Sequence, residues 1–156
     1  LDVGCGPGHL TALLCSLSVD ASGIDLVPEF IDHARASYPD GRFHLGSIDR
    51  LPLPDSSTAG ILAWYSLIHV PPDDIDRFLT ELRRVVVPGA TLVTGFFEGD
   101  RVMEFDHKVV AAYSWPIDAL SERLVRAGFV EVERQHRPGP AGNGIRSQAA
   151  IAAIAV

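Results

Sequence analysis

The chain has 156 residues, 47% of them hydrophobic and 21% charged, which fits one folded domain and excludes a disordered segment. Its formal charge of −7, with Arg83-Arg84 the only adjacent basic pair, argues against nucleic acid as a partner, because that binding relies on clustered Lys and Arg. No apolar run is long enough to span a bilayer, and Cys5 and Cys15 define neither a disulfide framework nor a metal site, so we expect no membrane, no metal and a cytoplasmic setting.

Taken in chain order, Leu1-Asp2-Val3 reads as the end of a buried strand, broken by Gly4-Cys5-Gly6-Pro7-Gly8. Leu10, Leu13, Leu14 and Leu17 follow at helical spacing. Ala21 to Leu26 is a second strand, and Pro28 suits the first turn of a helix with Phe30, Ile31, Ala34 and Tyr38 on its apolar face. Arg42 to Leu45 is a third strand; a polar, Pro-rich loop, Gly46 to Thr58, leads to a fourth, Gly60 to Tyr65. Pro71-Pro72-Asp73-Asp74 starts a helix whose apolar face is Ile75, Phe78, Leu79, Leu82 and Val85, with Pro88-Gly89 as its stop and Ala90 to Phe96 as the next strand. Phe97 to Trp115 has no clear period, and long aperiodic segments inside a compact domain are usually functional or mobile. Pro116 to Ala127 is a last helix stopped by Gly128. Phe129 to Gln135 and Ile145 to Val156 close the chain as two antiparallel strands joined through Pro138-Gly139-Pro140 and Gly142-Asn143-Gly144. The alternation predicts a Rossmann-like, doubly wound α/β fold: a mostly parallel seven-stranded sheet with an antiparallel last strand, in three αβα layers.

Ligands of such sheets sit at the carboxyl ends of the strands, near the point where strand order reverses. Gly4, Gly6 and Gly8 fall in the first strand–helix turn, where glycine lets a ligand approach the backbone. A dinucleotide fingerprint would need glycine at position 9, which is His9; the spacing here is G-x-G-x-G. Asp25 lies 17 residues after Gly8, at the end of the second strand, where a carboxylate can accept hydrogen bonds from ribose hydroxyls.

Leu1 to Gly8 resembles motif I of class I S-adenosylmethionine-dependent methyltransferases, and Gly23-Ile24-Asp25 resembles the acidic end of their second strand. Leu51-Pro52-Leu53-Pro54-Asp55 is similar to their "LPF-x-D" loop, and Leu82 to Ala90 to their "RVLKPGG" segment. The best likeness is to the UbiE-like, type 11 small-molecule group. The resemblance implies a single S-adenosylmethionine-binding domain over residues 1–156, lacking the family's N-terminal helices and the start of its first strand. It implies S-adenosyl-L-methionine as cofactor, S-adenosyl-L-homocysteine as product, and a small-molecule acceptor. By the same resemblance Asp2 and the turn Gly4-Cys5-Gly6 with Gly8 would hold the methionine part, Asp25 the ribose, and Leu26 one side of the adenine. Ser47 or Asp49 would meet the adenine amino group, Ile48 would pack on its ring, and Trp64 and Tyr65 would stand beside the cofactor. The chain departs from the family by having Ser47-Ile48 where an acid often follows the glycine, and Gly60 where Asp is common.

Methyl transfer needs alignment of the acceptor with the activated carbon, and a base only where the acceptor must lose a proton. His69, His107 and Asp106 are the candidate bases, with loop capping or packing as the other reading of His69. Tyr65, Phe97, Tyr113 and Trp115 form a candidate apolar substrate wall; a helix packed on the sheet is the other reading of that segment. A catalytically inactive cofactor-binding module and a nicotinamide-dependent oxidoreductase are the rival functions.

Overall fold

A computed structural model describes residues 1–107, 110–139 and 146–156. Ile145 and the Gly142-Asn143-Gly144 link lie outside the described residues. In chain order the elements are β1 (Asp2–Val3), α1 (His9–Ser16), β2 (Gly23–Asp25), α2 (Pro28–Ser37), β3 (Phe43–Leu45) and β4 (Thr58–Trp64). A 3-10 turn (Leu67–His69) precedes α3 (Ile75–Val85) and β5 (Val86–Phe97). Then come β6 (Met103–Phe105), β7 (Ala112–Ser114), α4 (Ile117–Arg126), β8 (Phe129–Arg137) and β9 (Gln148–Ala155).

Seven strands form one sheet in the order β3-β2-β1-β4-β5-β9-β8. The first five are mutually parallel; β9 runs antiparallel to both β5 and β8. The chain's last strand is therefore the antiparallel one, and it enters between β5 and β8, leaving β8 at the edge. Strand order reverses between β1 and β4, so the carboxyl ends of β1, β2 and β4 frame the crevice where this architecture binds ligands.

Two apolar clusters hold the layers. The larger gathers Ile75, Leu79, Leu82 and Val85 of α3 and Leu120 and Leu124 of α4 with Leu92, Phe96 and Ile151 of the sheet. Those α3 positions recur at helical spacing, which is why that face was legible in the sequence. The smaller joins Cys5, Ile31, Ala34 and Phe43 beneath α2.

Three local differences from the sequence reading have physical causes. The first is at β5, which begins at Val86, before Pro88-Gly89. Val86 pairs with Thr58, and the residue preceding proline is biased to extended backbone, so Pro88 and Gly89 (φ +81°) sit in the strand as an irregularity. Second, the aperiodic segment holds an antiparallel hairpin, β6–β7, whose three-residue strands are too short to leave a period. Third, the leucines at helical spacing along α1 and its C-cap are half-buried or exposed, not core. Thr11 is the buried residue of α1, bonded to Asp2, while Leu13 is 52% and Leu17 66% exposed. Among the described residues no helix is long and apolar enough to cross a membrane.

Candidate functional site

The turn after β1 is built from backbone. Gly4 has φ +69° and Gly6 φ +53°, a region that favours glycine. A Cβ on Gly4 would stand 2.3 Å from Ser66 Cβ, so the chain after β4 packs directly on the turn. A Cβ on Gly6 would meet nothing within 4 Å. Asp25, buried at the end of β2, spans the turn: its Oδ2 accepts from the Gly6 N–H at 2.8 Å and its Oδ1 from the Val27 N–H at 2.9 Å. Each oxygen retains a lone pair. Ser66 Oγ is buried with no hydrogen-bond partner among the described residues, beside Gly4. An open positive-φ glycine, a carboxylate with spare acceptor capacity and an unbonded hydroxyl fit a polar ligand seated on this turn. Gly8 closes it, against Phe43 and Ala34.

The other residues expected here separate. Asp2 is 1% exposed beneath the turn, where the Thr11 hydroxyl donates to its Oδ2 at 2.7 Å. Burial pushes its carboxyl up from the usual range, and the Thr11 bond partly offsets that. The Cys5 side chain points into the smaller cluster, and burial pushes its thiol up to about 12, so only its backbone belongs to the turn. Leu26 is exposed just past Asp25. Asp49, expected free for a ligand amino group, is bound by the Arg77 guanidinium at 2.8 Å, and a Ser47 hydrogen bond holds its carboxyl below the usual range. Ile48 packs against the larger cluster.

A second wall rises from the carboxyl ends of β4 and β5. Tyr65 carries φ +55°, rare for an aromatic residue, and its N–H donates to the Gly95 carbonyl at 2.9 Å. Rings then meet in series: Trp64 on Tyr65 at 5.5 Å, Tyr65 on Phe97 at 5.0 Å, and Phe97 on Phe105 at 5.3 Å and on His107 at 5.8 Å. His107 stands 5.4 Å from His69. His69 Nδ1 lies 3.0 Å from the Ala111 carbonyl. A carbonyl only accepts, so Nδ1 carries the hydrogen, which leaves Nε2 as the lone-pair nitrogen of the neutral ring. The buried Leu67 and Ile68 anchor the turn that carries His69, whose N–H donates to the Ser66 carbonyl. Tyr65 to His69 thus joins the glycine turn to the aromatic wall.

Four expectations need correction or placement. Trp115 is 2% exposed, inside the larger cluster with Arg123 over its ring, and is not part of a substrate wall. Trp64 leans over Gly95 of β5 and lines a groove of roughly 300 Å³ with Val93, Ala150 and Ala152, on the side of β4 away from the glycine turn. Tyr113 donates its hydroxyl to Glu104 across the β6–β7 hairpin and packs on the core. Asp106 is exposed between Phe105 and His107. Ser66, Arg137 and Arg146 went unnoticed in the sequence. Arg146 sits over the Phe105 ring at 3.7 Å, a contact 41 residues apart that no local motif announces.

The profile of the family described as a methyltransferase domain matches residues 1–89, more than half of the chain. The chain belongs to the class I S-adenosylmethionine-dependent methyltransferase family. An uncharacterized methyltransferase of Mycobacterium tuberculosis is 35% identical over 95 residues, covering 59% of this chain and 37% of that protein. The chain thus spans little more than a third of that relative's length. Among solved structures, a SAM-dependent methyltransferase from Methanosarcina mazei superposes with a TM-score of 0.87 at 19% identity, covering 99% of this chain and 91% of that one. The 1,6-didemethyltoxoflavin-N1-methyltransferase of Burkholderia thailandensis, solved with its acceptor and S-adenosylhomocysteine, gives 0.82 at 23% identity, covering 99% and 69%. At such identities the structural likeness establishes the methyltransferase fold and not the substrate.

Proposed function

We propose that this methyltransferase domain transfers a methyl group from S-adenosylmethionine to a small-molecule acceptor. The observation that carries the reading is the glycine turn: Asp25 holds Gly6 from one side, Gly6 opens to free space, and the unbonded Ser66 hydroxyl faces the same turn. In this reading Gly4, Gly6, Gly8 and the Cys5 backbone seat the methionine end, with Asp2 beneath them, and Asp25 offers its spare lone pairs to the ribose. Leu26 flanks the adenine from the exposed side, and Ser47, Ile48 and the Arg77-held Asp49 shape the loop opposite. S-adenosylmethionine, when bound, supplies an electrophilic methyl carbon open to in-line displacement. The chain's own work is positioning and proton removal. Tyr65 and Phe97 hold the acceptor beside Ser66, and His69 Nε2 takes the acceptor's proton, with His107 packed against it. A small-molecule acceptor also accords with the Burkholderia neighbour, whose acceptor is one.

Isothermal titration of the intact protein with S-adenosylhomocysteine tests the reading. Saturable binding is expected; no heat at millimolar ligand overturns it. Acceptor-dependent formation of S-adenosylhomocysteine then separates a transferase from a fold that only binds the cofactor.

A further inference from the structure

We propose that the acceptor is an organic anion: a flat apolar molecule whose carboxylate is held by Arg137 and Arg146 at the rim of the aromatic wall. The inference rests on the methyl-transfer reading of the same site and names the class of its substrate.

The chain carries 20 acidic residues against 13 Lys and Arg, and five of its arginines, Arg42, Arg77, Arg84, Arg123 and Arg134, are paired with a carboxylate. Arg137 and Arg146 have no carboxylate partner among the described residues, and the undescribed residues 108–109 and 140–145 include no Asp or Glu. The nearby Glu98 is already engaged by His136.

Both cations stand at the aromatic wall. Phe97 pairs with Gln148, and Gln148 with Arg137, so the three side chains share one face of the sheet in a single row. Two strand spacings, about 10 Å, separate the row's ends, a gap that the long Arg137 side chain shortens. The Arg137 charge is felt at Tyr65: burial pushes the phenol up, and Arg137 draws it back down. Arg146 lies over Phe105, whose edge meets Phe97. A guanidinium seated over a ring can still offer N–H groups for the bidentate pairing that carboxylates favour. The wall therefore has two chemically different ends. Ser66 adjoins the glycine turn, where the acceptor atom must lie, and His69 follows it in the next turn of chain; the two arginines belong to the Phe105 and Phe97 side of the wall. An acceptor bridging them carries an anion at one end, an apolar flat body against Tyr65, Phe97 and Phe105, and its nucleophile at the other.

The test is a fluorescence titration of the intact protein with 6-hydroxy-2-naphthoate and its neutral isostere 6-hydroxy-2-naphthamide. The naphthoate is expected to bind at least about tenfold more tightly. The Arg137→Gln, Arg146→Gln double variant is expected to lose that preference while keeping the amide's affinity, and the Arg137→Lys, Arg146→Lys variant to retain most of it. Equal affinities in the parent, no binding of either probe, or a preference that survives the glutamine pair overturns the proposal. S-adenosylhomocysteine titration on the same samples keeps the two failures apart. Intact cofactor binding without an anion preference removes only this inference, whereas absent cofactor binding removes the methyl-transfer reading.

Discussion

The two halves of the site are made differently. The glycine turn is a backbone structure: three glycines, one carboxylate and the two backbone N–H groups that donate to it, within 25 residues of sequence. The aromatic wall is a side-chain structure drawn from β4, β5, the β6–β7 hairpin and the start of β9, including a contact across 42 residues. Backbone binding recognises what every substrate of a family shares, and side-chain walls recognise what differs. A chain built this way can keep its cofactor half while changing its acceptor, and damage to the two halves should read out in different measurements.

The largest expected effect is at the turn. Gly4→Ala brings both an unfavourable positive φ and a Cβ into Ser66, at a position where backbone on both sides must move. It should cost about 3 kcal/mol or more of stability and abolish S-adenosylhomocysteine binding. Gly6→Ala meets open space, so its cost should be only the φ strain, about 1 kcal/mol. Thermal melts and calorimetry on the pair check this; equal losses at both positions would show that contact with Ser66 does not set the turn.

His69→Gln comes next and should affect the other half alone. Losing the Nε2 lone pair should lower the methyl-transfer rate about 100-fold or more for an acceptor that must lose a proton. Binding of S-adenosylhomocysteine should not change. A rate loss matched by an equal loss of cofactor affinity would mean that His69 supports the turn and not the acceptor.

This difference also explains what the sequence disclosed. Strand and helix order, the α3 face and the glycine turn were legible because each depends on local spacing. Asp25 was legible for its place at the end of β2, although its bonds to Gly6 and Val27 were not. Trp115 was misread because an aromatic residue in an aperiodic stretch carries no sign of which way it points; its ring lies within the larger cluster. The α1 leucines show the reverse: their period marks a face, but not what covers it. Arg137 and Arg146 were invisible because pairing of β8 with β9, and a ring contact, decide their place.

Trp115 provides a control for that misreading. Trp115→Leu should destabilise the fold by about 2 kcal/mol or more through the cavity it leaves among Leu120, Phe96 and their neighbours. Discrimination between anionic and neutral acceptors should be unaltered. A changed preference with unchanged melting temperature would return Trp115 to the substrate wall.

The smallest effect expected is at Asp2, and it appears only against pH. Burial raises the folded-state pKa of Asp2 above its unfolded value, so the folded state holds that proton more tightly. The resulting stability is fully present below the unfolded carboxylate pKa and is lost as pH rises through the folded one. Asp2→Asn keeps an acceptor for the Thr11 hydroxyl and removes the titration. The variant should therefore gain on the parent as pH rises from about 4 to about 7. Asp49, Glu81 and Glu131, whose carboxyls are lowered chiefly by hydrogen bonds from Ser47, Arg84 and Arg134, act with the opposite sign in both proteins and cancel in the difference. Melting curves of the two proteins across that range read the sign directly. A difference that falls with rising pH would mean that the Asp2 carboxylate is stabilised beneath the turn by more than Thr11, and that this half of the site uses a buried charge as well as backbone.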